Sequence, residues 1–114
     1  MGHANIIWQG EANDWTLRAL AHCDTPTSAL NLSGPPIAIR EAAQGLAHRL
    51  GVEAVFTGRE ADTAWLIDCT RAFELFGPQQ VTLPRMLDWT ADWVQRGMAS
   101  LNKPTHFEAR DGKY

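Results

Sequence analysis

The chain has 114 residues, 45% hydrophobic and 20% charged, a composition expected of one soluble globular domain, 1–114, that buries about two-thirds of its unfolded surface. A net charge of −3 and a pI near 5.7 argue against a nucleic-acid partner, because phosphate neutralisation needs clustered Lys and Arg and here they are scattered. No apolar run approaches the roughly 20 residues that span a bilayer, and no secretory signal opens the chain, so no membrane association and a cytoplasmic location are expected.

In chain order, Ala4–Trp8 reads as a short apolar strand closed by Gln9-Gly10. A helix over Glu11–His22 follows, with Trp15, Leu17, Ala19, Leu20 and Ala21 covering more than one face. Cys23–Ser28, with Asp24 and Pro26, is a loop. Ala29–Ser33 alternates as a strand does and stops at Gly34-Pro35-Pro36. In the next helix Ile39, Ala42, Ala43, Leu46 and Leu50 form one stripe, and Gly51 stands where a left-handed cap belongs. Glu53–Thr57 predicts a strand, Gly58–Asp62 a polar loop, and Thr63–Ile67 an extended or partly buried segment. Asp68 or Thr70 caps a short helix that runs to Phe76 and ends at Gly77-Pro78. Thr82-Leu83-Pro84 opens the last helix, whose inner stripe is Leu83, Met86/Leu87, Thr90 and Trp93/Val94, and Gly97 closes it. Lys103–Tyr114 is polar and predicts a surface segment or an edge strand. The order gives a mixed α/β (α+β) fold of short strands and about four helices, and pattern alone does not choose between α/β and α+β.

Five tryptophans are many for this length, and their spacing places most of them in the core. Trp89 and Trp93, four apart, share one helix face, which either packs in the core or is exposed to a domain not present here. Cys23 and Cys69 have neither CxxC spacing nor a nearby His pair, the usual pattern of buried thiols in a reducing compartment. His3, His22, His48 and His106 lack metal-ligand spacing. Asp88, Asp92 and Glu74 read as solvated helix-surface acids. Ser28, Ser33 and Ser100 lack a nucleophile elbow.

Residues 70–96, TRAFELFGPQQVTLPRMLDWTADWVQR, join a helix ending in Leu75-Phe76-Gly77-Pro78 to a Trp-bearing helix. This resembles the C-terminal signature of the extended short-chain dehydrogenases/reductases, the NAD-dependent epimerase/dehydratase family. Leu30-Asn31-Leu32-Ser33-Gly34-Pro35-Pro36, followed by a helix and Gly51, is similar to the strand, turn and first helix of that family's substrate domain. Residues 3–22, HANIIWQGEANDWTLRALAH, resemble the strand and helix just before it. Residues 3–96 thus follow the family's last third in order. The resemblance implies the C-terminal, substrate-binding fragment of a Rossmann-type protein, the product of a truncated or split gene or an excised piece, with Met1 heading what relatives carry internally.

The departures narrow what the resemblance implies. The family's dinucleotide turn, G-x-x-G-x-x-G, is absent, as is Tyr-x-x-x-Lys, whose Lys lowers the Tyr pKa; the single tyrosine is Tyr114. No cofactor is therefore expected on this chain, although NAD or NADP is implied for the full-length family, and no catalytic residue is assigned. The substrate-binding residues implied are Arg59, in the loop that supplies relatives with an arginine for the substrate diphosphate, then His3, Asn5 and Gln9 around the first strand, and Trp65. A guanidinium suits a diphosphate because its fork of donors matches phosphate oxygens in pairs. Read from the residues alone, Arg59 is equally a solvated side chain paired with Glu60 or Asp62, and His3, Asn5 and Gln9 are strand-end polar groups facing water. His3-Ala4-Asn5 replaces the arginine frequent in relatives before this strand. The partners expected are a nucleotide sugar and either a separate N-terminal Rossmann half or further copies of this chain. The alternative is a free-standing oligomeric module for protein interaction or small-ligand binding.

Overall fold

The computed structural model describes residues 2–103. Strand β1 (His3–Asn5) leads into helix α1 (Gln9–Ala19), which continues as a 3₁₀ turn (Leu20–His22). Strand β2 (Pro36–Ala38) then passes directly into α2 (Ile39–Leu50), followed by α3 (Thr70–Phe76) and α4 (Leu83–Gln95). The described residues form a small mixed α/β domain of four α-helices and one two-stranded sheet. No helix among them is long and apolar enough to cross a membrane. The segment expected at the surface or as an edge strand lies, after Lys103, outside the described residues.

The sheet is shorter than the sequence pattern predicts. β1 and β2 pair antiparallel, His3 opposite Ala38, Ala4 opposite Ile37 and Asn5 opposite Pro36. Beyond Asn5 the ladder has nothing to grow on, because Pro36 and Pro35 offer no N–H. Ile6–Trp8, expected in the strand, therefore leave it. Ala29–Ser33 is not a strand either, although its alternation is real. Leu30 and Leu32 turn inward onto the core, while Asn31 faces out and its side-chain amide donates to the Asp68 carbonyl at 3.1 Å. Glu53–Thr57 likewise forms no strand, and Val55 is 81% exposed.

The helices follow their local signals more closely. In α2, Gly51 adopts the left-handed conformation at φ 69°, and the N–H of Val52 reaches back to the Ala47 carbonyl at 3.0 Å, the Schellman closure that suits a residue without Cβ. At the start of α3, one Asp68 carboxylate oxygen accepts from both the N–H (2.9 Å) and the hydroxyl (2.7 Å) of Thr70. These two bonds hold the Asp68 carboxyl below the usual carboxylate range.

α2 and α4 pack against each other. Their contact is built on small residues, with Ala47 and Ala91 both buried, and Gly45 gives the Leu87 side chain room to approach. This corrects the expected inner stripe of α4. Leu83, Met86, Leu87 and Ala91 turn inward, whereas Thr90, Trp93 and Val94 are exposed, because so close an approach leaves no space for an indole. Arg49 ties the pair together from the side, donating to Asp88 (2.6 Å) and to the carbonyls of Gly45 (2.9 Å) and Pro84 (3.3 Å).

A second core lies between α1 and α3. Trp15 is 2% exposed, seated against Cys69, Ala72 and Phe76, with the Phe73 ring edge-on at 5.8 Å. Burial pushes the Cys69 thiol up from its ordinary pKa. Cys23, expected to be buried, is exposed in the loop after the 3₁₀ turn. Most of the tryptophans also depart from expectation: Trp15 alone is buried, and Trp8, Trp65, Trp89 and Trp93 are all exposed. The core of so short a chain is filled by one indole and two phenyl rings, and the rest have no second layer to enter.

Candidate functional site

Asn5 is held by geometry more than any other residue singled out in the sequence. Its side-chain amide donates to the Gly34 carbonyl at 2.9 Å and to the Ile67 carbonyl at 3.3 Å, and its oxygen accepts the Ile67 N–H at 2.8 Å. One side chain thus replaces a strand's peptide group and bonds residues 29 and 62 positions away. Asn5 is half-buried and occupied with the fold, which corrects the picture of a strand-end polar group facing water. His3 is exposed at the start of β1.

Arg59 is exposed in the polar loop, and neither Glu60 nor Asp62 pairs with it among the described residues. Glu60 instead takes the Arg40 guanidinium, whose nitrogens lie 2.9 Å from its carboxylate while its plane covers the Phe56 ring at 4.2 Å. The same carboxylate lies against Gly2, and the Gly2 carbonyl accepts from Ile39 at 2.9 Å. The loop is therefore anchored beside the β1–β2 edge, and Arg59 extends from an anchored base. Trp65 is 65% exposed, two residues from the Ile67 that Asn5 grips.

Gln9 belongs to a different place. It is the first residue of α1 and lines an open cleft of about 360 Å³ whose walls are Trp8, Trp89 and Trp93, with Ile7, Met86 and Thr90 beneath. Trp8 and Trp89 meet at a tilted angle of 59°, their ring centroids 5.3 Å apart. The Trp8 indole also lies across Gly10, so closely that any side chain there would strike it. On the other side of Trp8 a second cleft, about 380 Å³, opens over Trp15, Phe76 and the Asp14–Arg18 pair. Of the implied binding residues only Gln9 lines the tryptophan cleft; Arg59, His3, Asn5 and Trp65 do not.

Glu11, which lines the second cleft, entered the sequence reading only as the first residue of a helix. It is 7% exposed and turns away from its own helix to accept the backbone N–H groups of Gln80 and, at 3.2 Å, Val81. Those bonds hold the α3–α4 connection against α1 and so set where α4 places its tryptophans. The Trp89/Trp93 spacing was the sequence signal for the cleft wall; nothing in the sequence joined Trp8 to it.

The turn from β1 into α1 does not fit a dinucleotide. Pyrophosphate needs bare backbone at a helix start, and here the Trp8 indole covers it. No family model, no curated protein and no solved structure matches this chain.

Proposed function

We propose that this chain is the substrate-binding part of a protein like the NAD-dependent epimerases and dehydratases, a C-terminal fragment of a Rossmann-type fold that binds its ligand and performs no hydride chemistry itself. The observation that supports this reading is the unfinished state of its α/β architecture. Two of the segments with strand character, 29–33 and 53–57, find no ladder, and Leu17 on α1 and Leu20 in the 3₁₀ turn after it are 68% and 69% exposed. An α/β helix ordinarily buries such residues against a sheet. A dinucleotide-binding half laid over α1 would supply that layer, together with the cofactor turn and the catalytic tyrosine that this sequence lacks. Arg59, exposed and without an acid partner among the described residues, is the group offered to a substrate diphosphate, the ligand being a nucleotide sugar.

Calorimetric titration with UDP-, GDP- and dTDP-sugars, and separately with NAD, tests the reading. Heat with a nucleotide sugar, lost in Arg59→Ala and absent with NAD, supports it. No heat with any of the sugars refutes it.

One observation favours a second reading, in which the chain is an oligomeric interaction module without enzymatic activity. Trp8, Trp89 and Trp93 are each between 43% and 49% exposed on one surface, and aromatic residues dominate interface energetics. Sedimentation velocity separates the two: association that persists in Arg59→Ala with no ligand heat belongs to the module, and a monomer that binds no apolar dye contradicts it.

A further inference from the structure

The cleft walled by Trp8, Trp89 and Trp93 is lined by apolar and uncharged polar residues. No carboxylate lines it. The nearest acids in sequence are engaged elsewhere: Glu11 on the Gln80 and Val81 amides, Asp88 on Arg49 at 2.6 Å, and Asp92 on Arg96 at 3.3 Å. Arg85, one turn before Trp89 on α4, has its guanidinium 5.9 Å from the centre of the Trp89 ring and no carboxylate partner among the described residues. Among the described residues, the charge beside Trp89 that has no carboxylate partner is therefore positive.

The walls specify the remainder of a ligand. Trp8 and Trp89 form a corner with a tilt of 59°, so a flat ring laid on one indole meets the other edge-on, the two favoured arrangements of aromatic pairs. The Trp93 indole N–H is already bonded to the Ala99 carbonyl at 3.1 Å, which fixes that wall and leaves its face as the surface offered. The volume of about 360 Å³ falls at the small end of ligand sites. An aromatic cage without a cation would select a cationic ligand, but Arg85 reverses that preference here.

We propose that this cleft binds a small planar aromatic carboxylate, its ring against Trp8 and Trp89 and its acid group on Arg85. The site does not include Arg59, and of the residues implied for a nucleotide sugar only Gln9 lines it.

The test uses the full chain with 2-naphthoate as the probe and 2-naphthylmethanol as its uncharged counterpart. Binding is followed by the indole N–H signals in a ¹H–¹⁵N spectrum and by calorimetry. The expected result is movement of the Trp8, Trp89 and Trp93 signals with those of Trp15 and Trp65 unmoved. Arg85→Gln should weaken naphthoate about tenfold, the size of one charge-assisted bond, and naphthylmethanol less than about twofold. Trp89→Leu should weaken both probes; Trp89→Phe, which keeps a ring in the wall, should retain most of the affinity and shows that any loss in the leucine variant is local. Three results would each overturn the proposal: no movement at millimolar probe, equal weakening of both probes by Arg85→Gln, or indole signals that shift with protein concentration alone, which would mark the cleft as covered by a second copy.

Discussion

Replacing Gly34 by alanine tests the packing argument most severely. A Cβ built on Gly34 would stand 1.8 Å from the Ile6 carbonyl oxygen, 2.8 Å from the Ile6 carbonyl carbon and 2.2 Å from the Gln79 side-chain oxygen. Carbon meets a carbonyl oxygen at roughly 3.3 Å, so the clash is over an ångström deep and two of its three atoms are backbone. Rotating a side chain cannot relieve it; the residue 33–35 chain must move away from Ile6. That movement also strains the Asn5 amide, which is bonded to Gly34 at 2.9 Å and to Ile67 through two further contacts. Overpacking of this kind costs about 1–3 kcal/mol and the loss of about two of the three Asn5 hydrogen bonds about 1 kcal/mol each, so the expected loss is about 3–5 kcal/mol. For a domain of this size that lowers the Tm by about 12–20 °C. Gly51→Ala is the control: it also forces a side chain onto glycine, but into open space, and costs only the left-handed backbone, about 1–2 kcal/mol. Urea unfolding followed by circular dichroism and tryptophan fluorescence measures both. If Gly34→Ala loses no more than Gly51→Ala, the close approach described here is wrong.

The Glu11 and Asp68 carboxylates give two further expected outcomes. Glu11→Gln keeps one acceptor but turns an amide donor toward the Gln80 or Val81 N–H, and should lower stability by about 2 kcal/mol in urea titrations; a change under about 0.5 kcal/mol would mean Glu11 does not hold the connection. Asp68, whose pKa is depressed mainly by the Thr70 hydroxyl and then by its N–H, binds its proton less readily folded than unfolded. Its contribution is therefore present above the ordinary carboxylate pKa and is lost as pH falls through the lower, folded value. In Thr70→Val an NMR titration of Asp68 should move up toward the ordinary value, and an unchanged titration would assign the shift to something other than the Thr70 hydroxyl.

The sequence was most legible where a single segment decides its own structure. The apolar stripe and Gly51 marked α2 at both ends; Gly77 marked the end of α3, whose N-cap is Cys69 and not the expected Asp68 or Thr70; and Thr82-Leu83-Pro84 with Gly97 bounded α4. Strands were less legible, because a ladder depends on a partner elsewhere in the chain. Residues 29–33 alternate correctly and Leu30 and Leu32 are inside, yet pairing fell to Pro36–Ala38, which begins within the expected Gly34-Pro35-Pro36 stop. The α4 stripe was misjudged at Thr90, Ala91, Trp93 and Val94 because periodicity reports a face and not how near the neighbouring helix comes. Of the site, the Arg59 loop and the Trp89/Trp93 pair were visible as local patterns. The grip of Asn5 on Ile67 spans 62 positions and that of Glu11 on Gln80 spans 69, and no local pattern carries such a bond.

Asn5 has a consequence for how binding experiments on this chain are interpreted. An alanine scan of the implied ligand residues would find Asn5→Ala damaging whether or not any ligand touches it, because three separate stretches of backbone come apart when its amide is removed. Even aspartate is no rescue, since it offers acceptors where Gly34 and Ile67 require donors. A loss of affinity at this position is a report on architecture. Arg59, exposed at the end of an anchored loop, is the position where a lost signal can be assigned to the ligand.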